Sequence, residues 1–374
     1  MQNADKLEVF LDSRHVGTMA VYQRYRTVFE YSEEWLRTGY SISPLSLPLT
    51  AGVKAAKADP FDGLFGIFAD SLPDGWGRLL VDRMLRREGE RPEDIGPLTR
   101  LCIVGRSGMG ALEYEPVFER KPVEQTADLD RLEAECRKVL QSEESGDLDT
   151  LFAMGGSSGG ARPKVMLKQD DGEWIVKFPS SGDPKDIGMM EYEYNLCARD
   201  CGIVIPEVRL FASKKCAGYF GSRRFDRVHA ENGDRKIHMA SASALLEVSH
   251  RIPALDYTSL MALTWHVSDR SEDLERMFRL MCFNVFAHNR DDHSNNFSFL
   301  CDHGAWRLAP AYDLTRSDSS YGEHATTVAG EGRNPGTDDI LKVAKKAGIR
   351  EKQARDIAEE IREKVNAKLG RYLS

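Results

Sequence analysis

The stretch His288-Asn-Arg-Asp-Asp-His-Ser-Asn-Asn296 constrains this chain more than any other, because it sets an acid and a downstream amide in one short polar loop directly after the apolar run Leu274–Phe286. Four residues separate Asp291 from Asn296. A loop of this kind can do two things at once. Its carboxylate accepts or orients the proton of an attacking hydroxyl, while its amide oxygen ligates Mg²⁺ without adding another negative charge beside a polyphosphate. A second acid follows in Trp306-Arg-Leu-Ala-Pro-Ala-Tyr-Asp313, after a strand-like run, where a carboxylate can bridge Mg²⁺ to phosphate oxygens. Two plainer readings stand beside this one. The acids near 291 could bind a hydrolytic metal together with His288 and His293, or the Ser, Asp and Asn residues could simply form turns.

Upstream, Met154-Gly-Gly-Ser-Ser-Gly-Gly-Ala-Arg-Pro-Lys164 marks an abrupt change of composition. Gly155, Gly156, Gly159 and Gly160 carry no Cβ and let backbone N–H groups approach a phosphate closely. The run fits neither Gly-x₄-Gly-Lys-Ser/Thr nor Gly-x-Gly-x-x-Gly, and by itself a flexible linker is the lesser, alternative reading. Two strand candidates follow, Lys164–Lys168 and Glu173–Phe178, joined by the turn Gln169-Asp-Asp-Gly172. Lys177 sits among apolar residues of the second strand, where its charge needs a partner. The helix expected over about 188–201 offers Glu191 and Glu193. Glycine loop, strand lysine, helix glutamate, Asp-x₄-Asn and a later aspartate stand in the order found in protein kinases, although the last acid heads Asp-Leu-Thr rather than Asp-Phe-Gly.

Composition narrows the classes further. The net charge of -8 argues against a broad electrostatic grip on nucleic acid, while leaving open a local patch of Arg223, Arg224 and Arg227. The seven cysteines are odd in number and include no Cys-x-x-Cys, which indicates neither a zinc site nor a disulfide framework. No run reaches the roughly 18 apolar residues of a membrane span, and the start has no signal-like stretch, so the chain reads as cytoplasmic with no membrane partner. Strand-like runs at 7–11, 16–21 and 27–31, with a helix signal at 77–85, give a small α+β subdomain over 1–118. Residues 119–228 then form a lobe with the glycine-rich loop, and residues 229–374 a helical lobe ending in an amphipathic tail.

Together these residues resemble the HipA-like serine/threonine kinases, the toxin half of two-gene toxin–antitoxin modules linked to bacterial dormancy. The resemblance rests on Ser157-Ser-Gly-Gly-Ala-Arg-Pro-Lys164, Trp174-Ile-Val-Lys-Phe-Pro-Ser180, Arg223-Arg-Phe-Asp-Arg227, Asp291-Asp-His-Ser-Asn-Asn-Phe-Ser298 and Pro310-Ala-Tyr-Asp313. Pro44-Leu-Ser-Leu-Pro48, Leu72-Pro-Asp-Gly75 and Gly105-Arg-x₃-Gly-Ala-Leu112 extend it towards the amino terminus. It implies an α+β, bilobal protein-kinase-like fold, with a β-rich N-lobe, an all-helical C-lobe and the added amino-terminal subdomain.

The resemblance also implies the roles. Asp291 is the catalytic aspartate, and Asn296 and Asp313 hold Mg²⁺. Ser157, Ser158, Gly159, Gly160, Lys177 and His293 serve ATP, with Glu191 the partner of Lys177 and Glu193 the fallback. Arg223 and Phe225 occupy the hinge that reads the adenine edge, Arg223 standing where family members often have glutamate. Ser157 or Ser158 is the autophosphorylated loop serine. The implied partners are a protein substrate, with aminoacyl-tRNA synthetases among the known family substrates, and a helix-turn-helix antitoxin of the HipB kind through which DNA is met indirectly. A small-molecule or lipid kinase, and a scaffold acting mainly with its antitoxin, are the rival readings.

Overall fold

Alternation makes Lys6–Leu11 a strand, β1, with Leu7, Val9 and Leu11 turned inward. Asp12 and Ser13 both take positive φ, the geometry of a two-residue hairpin turn, and lead into β2, Arg14–Tyr22. With β3 (Arg26–Tyr31), β4 (Lys54–Ala55) and β5 (Leu112–Glu115) they form an antiparallel sheet in the order β4-β3-β2-β1-β5. The computed structural model in which this is seen describes residues 3–23, 26–118, 128–228, 235–318 and 322–373. The expected boundaries at 118/119 and 228/229 therefore abut residues outside the described set.

The chain divides into two units, one made of Met1–Met189 and Val208–Met239, the other of Met190–Glu207 and Ala240–Ser374. In the first unit a second antiparallel sheet has the order β6-β7-β9-β8, from β6 (Lys164–Gln169), β7 (Gly172–Lys177), β8 (Val208–Phe211) and β9 (Tyr219–Arg223). Three helices share one core with it. Trp76 and Leu80 come from Gly75–Arg87, Leu132, Cys136 and Val139 from Leu129–Leu140, and Leu151 and Met154 from Leu148–Gly155. They meet Val165, Leu167, Trp174 and Val176 of the strands. Fully burying side chains of this size contributes about 1.5–3 kcal/mol each, so the sheet and the helices hold one another. The helix Leu148–Gly155 takes up the first glycine of the rich run, which leaves Ser157 to Pro163 as the loop proper.

The second unit is built mainly of helices: Tyr257–Ser268, Ser271–Phe286, Thr337–Lys346 and Glu351–Leu373. Its tail breaks at Gly348, which has φ +75, and buries Ile340, Val343, Ile357, Ile361, Val365 and Leu369 as the spacing requires. Strands depart from an all-helical lobe: Leu255–Asp256 pairs parallel with Thr326–Thr327. Ser298–Asp302 pairs antiparallel with Ala305–Leu308 across the turn His303-Gly304, both residues at positive φ. The apolar run Phe297-Ser-Phe-Leu-Cys301 is too short for a helix and is closed by that turn. Among the described residues no helix is long and apolar enough to cross a membrane.

Candidate active site

In the second unit the helix Ser271–Phe286 ends at Ala287, and His288 turns the chain with φ +52 into the polar loop. Two neighbouring acids then take opposite environments. Asp292 is fully buried: it accepts from Tyr257 Oη at 2.9 Å, from His324 Nδ1 at 3.0 Å and from the Thr326 N–H at 3.2 Å, and its carbonyl accepts from Thr326 Oγ1. Asn284 Nδ2 donates to Tyr257 Oη, and Asn289 Nδ2 to Asn284 Oδ1, so the network runs back into the helix. Burial, with the Asp292 carboxylate beside it, pushes the Tyr257 phenol well above its ordinary value. The side chain of Asp291, by contrast, is 64% exposed.

The rest of the loop is held from several sides. Asn296 Nδ2 donates to the Asp291 carbonyl at 2.7 Å, which directs the amide oxygen away from that bond. His293 Nδ1 accepts from the Asn295 N–H at the start of the short turn Ser294–Asn296, and its Nε2 lies 3.8 Å from Asp291 Oδ1. Tyr312 Oη donates to the Asn295 carbonyl, which ties the loop to the segment entering Asp313, itself at φ +53. Asn195, buried on the helix Ile187–Asp200, donates to the Leu314 carbonyl, and Tyr194 Oη to the Ala287 carbonyl. Burial lowers the pKa of His288. Among the described residues no three His, Cys, Asp or Glu side chains are grouped so as to hold a metal ion. Glu191 is buried, whereas Glu193 accepts from Arg371 and from Tyr372 Oη.

In the first unit the two-residue turn of the β6–β7 hairpin sets the register Lys164↔Lys177. Directly opposed residues of an antiparallel pair project to the same face, so two lysines stand side by side where the loop enters the sheet. Lys164 Nζ donates to the Gly159 carbonyl at 2.5 Å, and Lys177 Nζ lies 5.6 Å from the centre of the Phe220 ring. Lys164 thus stands beside Lys177, a neighbour that the motifs alone do not single out. Its signal was present, since six residues on each side of the turn Asp170-Asp171 lead back to Lys164 and forward to Lys177. Ser157 Oγ donates to the Ser107 carbonyl at 2.9 Å, whereas Ser158 is buried with its hydroxyl on the Gly155 carbonyl.

Arg223 closes β9 opposite Trp174, and Phe225 follows half-buried. The basic patch considered for Arg223, Arg224 and Arg227 does not exist as a surface. Arg224 and Arg227 have side chains only 2% and 7% exposed, and both clasp Asp226, at 2.7 and 2.8 Å. Burial alone would raise the Asp226 carboxyl, but the two guanidinium groups and the Gly110 N–H hold it below the usual range. Arg-Phe-Asp-Arg is thus an internal knot that ties the end of β9 to Gly108 and Gly110.

With this geometry in place, comparison with known proteins gives a consistent result. Residues 7–115 match the HipA N-terminal domain and residues 156–369 the HipA-like C-terminal domain. A protein of Sinorhizobium fredii named "Putative kinase Y4mE" is 28% identical over 345 residues, covering 82% of this chain and 76% of that protein. A chain from the Shewanella oneidensis MR-1 toxin–antitoxin complex of HipA, HipB and operator DNA superposes with a TM-score of 0.74 at 16% identity. The match covers 98% of this chain and 90% of that one, and it establishes the fold.

Proposed function

This chain belongs to the HipA-like family, and on that premise we propose that it is a serine/threonine protein kinase that uses ATP with Mg²⁺ and acts as the toxin of a two-gene toxin–antitoxin pair. The observation that carries the reading is the division of labour between neighbouring acids. Asp292 anchors the loop from the interior, whereas the Asp291 side chain is largely solvent-exposed on the same loop, where a substrate hydroxyl can reach it. In the reaction the hydroxyl oxygen bonds to the γ-phosphorus, Asp291 takes the hydroxyl proton, and ADP leaves with the electron pair of the broken P–O bond.

The donor set suits Mg²⁺, which is usually held by one or two protein oxygens together with phosphates. Asn296 offers its amide oxygen because its nitrogen is fixed on the Asp291 carbonyl, and Asp313 adds a carboxylate. When bound, the ion neutralises charge on the phosphate oxygens. Lys177 and Lys164 supply the same neutralisation from the chain itself, and two opposed ammonium groups favour a polyanion between or beside them. Gly159 and Gly160 serve the phosphates, His293 fixes the turn that presents Asn296, and backbone groups at Arg223 and Phe225 read the adenine edge. Glu193 bonds Arg371 and Tyr372, which favours Glu191 over Glu193 as the helix glutamate of the set. Burial of the Ser158 hydroxyl on the Gly155 carbonyl favours Ser157 over Ser158 as the autophosphorylated loop residue. A helix-turn-helix antitoxin is the partner, and through it the acidic chain meets DNA.

Incubation with γ-labelled ATP, followed by separation of protein-bound from small-molecule label, tests the reading. Label on serine or threonine of a cellular protein, abolished by EDTA, is the expected result. Label confined to a small molecule would reassign the acceptor, and absence of any transfer would leave a scaffold that acts through its antitoxin.

A further inference from the structure

Asp74 stands at the N-cap position of the helix Gly75–Arg87, yet its side chain makes no capping bond to that helix. Its Oδ1 instead accepts from the N–H of Gly160, 86 residues away in the glycine-rich loop. The next residues follow the same course. The Trp76 N–H donates to the Gly160 carbonyl at 2.9 Å, and Trp76 Nε1 to the Lys164 carbonyl at 3.1 Å. A Cβ on Gly75 would overlap the Gly160 carbonyl and one on Gly77 the Ser158 carbonyl, so Asp-Gly-Trp-Gly is shaped for this approach. An aspartate at an N-cap ordinarily satisfies its own helix, where loss of the bond costs about 1 kcal/mol. Here that carboxylate serves the loop.

We propose that Asp74 is a positioning residue for the phosphate-binding loop: reaching from the amino-terminal part of the first unit, it holds Gly160 in the left-handed conformation seen, at φ +82, and so sets the affinity for a polyphosphate. The proposal rests on the kinase reading above, because it takes the loop to receive phosphates. It also gives the amino-terminal segment a part in nucleotide use, where its sequence shows no catalytic chemistry. Asp74 acts through the backbone of Gly160 and contacts no reacting atom.

Calorimetric titration of the full chain with Mg·ATP and separately with adenosine tests it, since adenosine carries no phosphate for the loop to hold. Asp74→Ala should weaken Mg·ATP about ten-fold, the worth of one hydrogen bond to a charged group, and leave adenosine unchanged. Asp74→Asn retains an oxygen acceptor for the Gly160 N–H and should restore most of the Mg·ATP affinity. Equal weakening of both ligands, unchanged or tighter Mg·ATP binding by Asp74→Ala, or an Asp74→Asn as weak as the alanine variant would overturn the assignment of Asp74 alone. Wild-type protein that binds no Mg·ATP would overturn the kinase reading and this one with it.

Discussion

Asp291→Asn lowers phosphoryl transfer by about 10²–10⁴-fold, the usual contribution of a well-placed general base, and leaves the protein folded. Asparagine keeps the size and hydrogen-bonding capacity of the side chain but cannot take the hydroxyl proton. Because that side chain is 64% exposed, its loss removes no packing, and exposed substitutions usually change stability by less than about 0.5 kcal/mol. Steady-state transfer of label and a thermal melt, run on the same preparation, separate the two effects. Near-normal turnover would show that another group serves as the base.

The opposite outcome belongs to the next residue. Asp292→Ala removes the acceptor of Tyr257 Oη, His324 Nδ1 and the Thr326 N–H in the interior, where Asp292 and Thr326 are essentially fully buried and His324 nearly so. Breaking a buried, hydrogen-bonded carboxylate network of this kind costs on the order of 3–5 kcal/mol, a large fraction of the 5–15 kcal/mol typical of a whole domain. Urea denaturation followed by circular dichroism should show a clear fall in the midpoint, with activity lost in parallel. An unchanged midpoint would mean that the network does not hold the loop. The pair of variants sorts one adjacent pair of aspartates into chemistry and architecture.

The Asp-x₄-Asn spacing singles out Asp291 in the sequence, but nothing there shows that Asp292 is an anchor. Tyr257 and His324 lie 35 and 32 residues from Asp292, and only the fold brings them together. Local signals, by contrast, were legible. The turn Gln169-Asp-Asp-Gly172 between two strand-like runs gave the hairpin that carries Lys177, and Asp-x₄-Asn marked the polar loop because acid and amide fall within six residues. Lys164 was within reach by the same register count. Asp74 was not, because its partner is a backbone N–H and a glycine leaves no side-chain pattern to pair with. The local patch left open for Arg223, Arg224 and Arg227 could not be decided by charge counting, which cannot see that Asp226, placed between the last two, is drawn inside with both. The mostly helical reading beyond residue 240 took the run before Asp313 as strand-like but missed its partner Ser298–Asp302 for a related reason. A five-residue apolar run carries no period that distinguishes strand from helix.

The central claim is that Asn296 and Asp313 present oxygen ligands for a Mg²⁺-bound triphosphate whose transfer Asp291 directs. Its most direct test is the affinity of the wild-type chain and of Asp313→Asn for a non-hydrolysable ATP analogue, each measured with Mg²⁺ and with EDTA. The account predicts that Mg²⁺ tightens binding strongly in the wild type and has little effect in the variant. Binding that is indifferent to Mg²⁺ in the wild type, or equally Mg²⁺-dependent in both proteins, would contradict it.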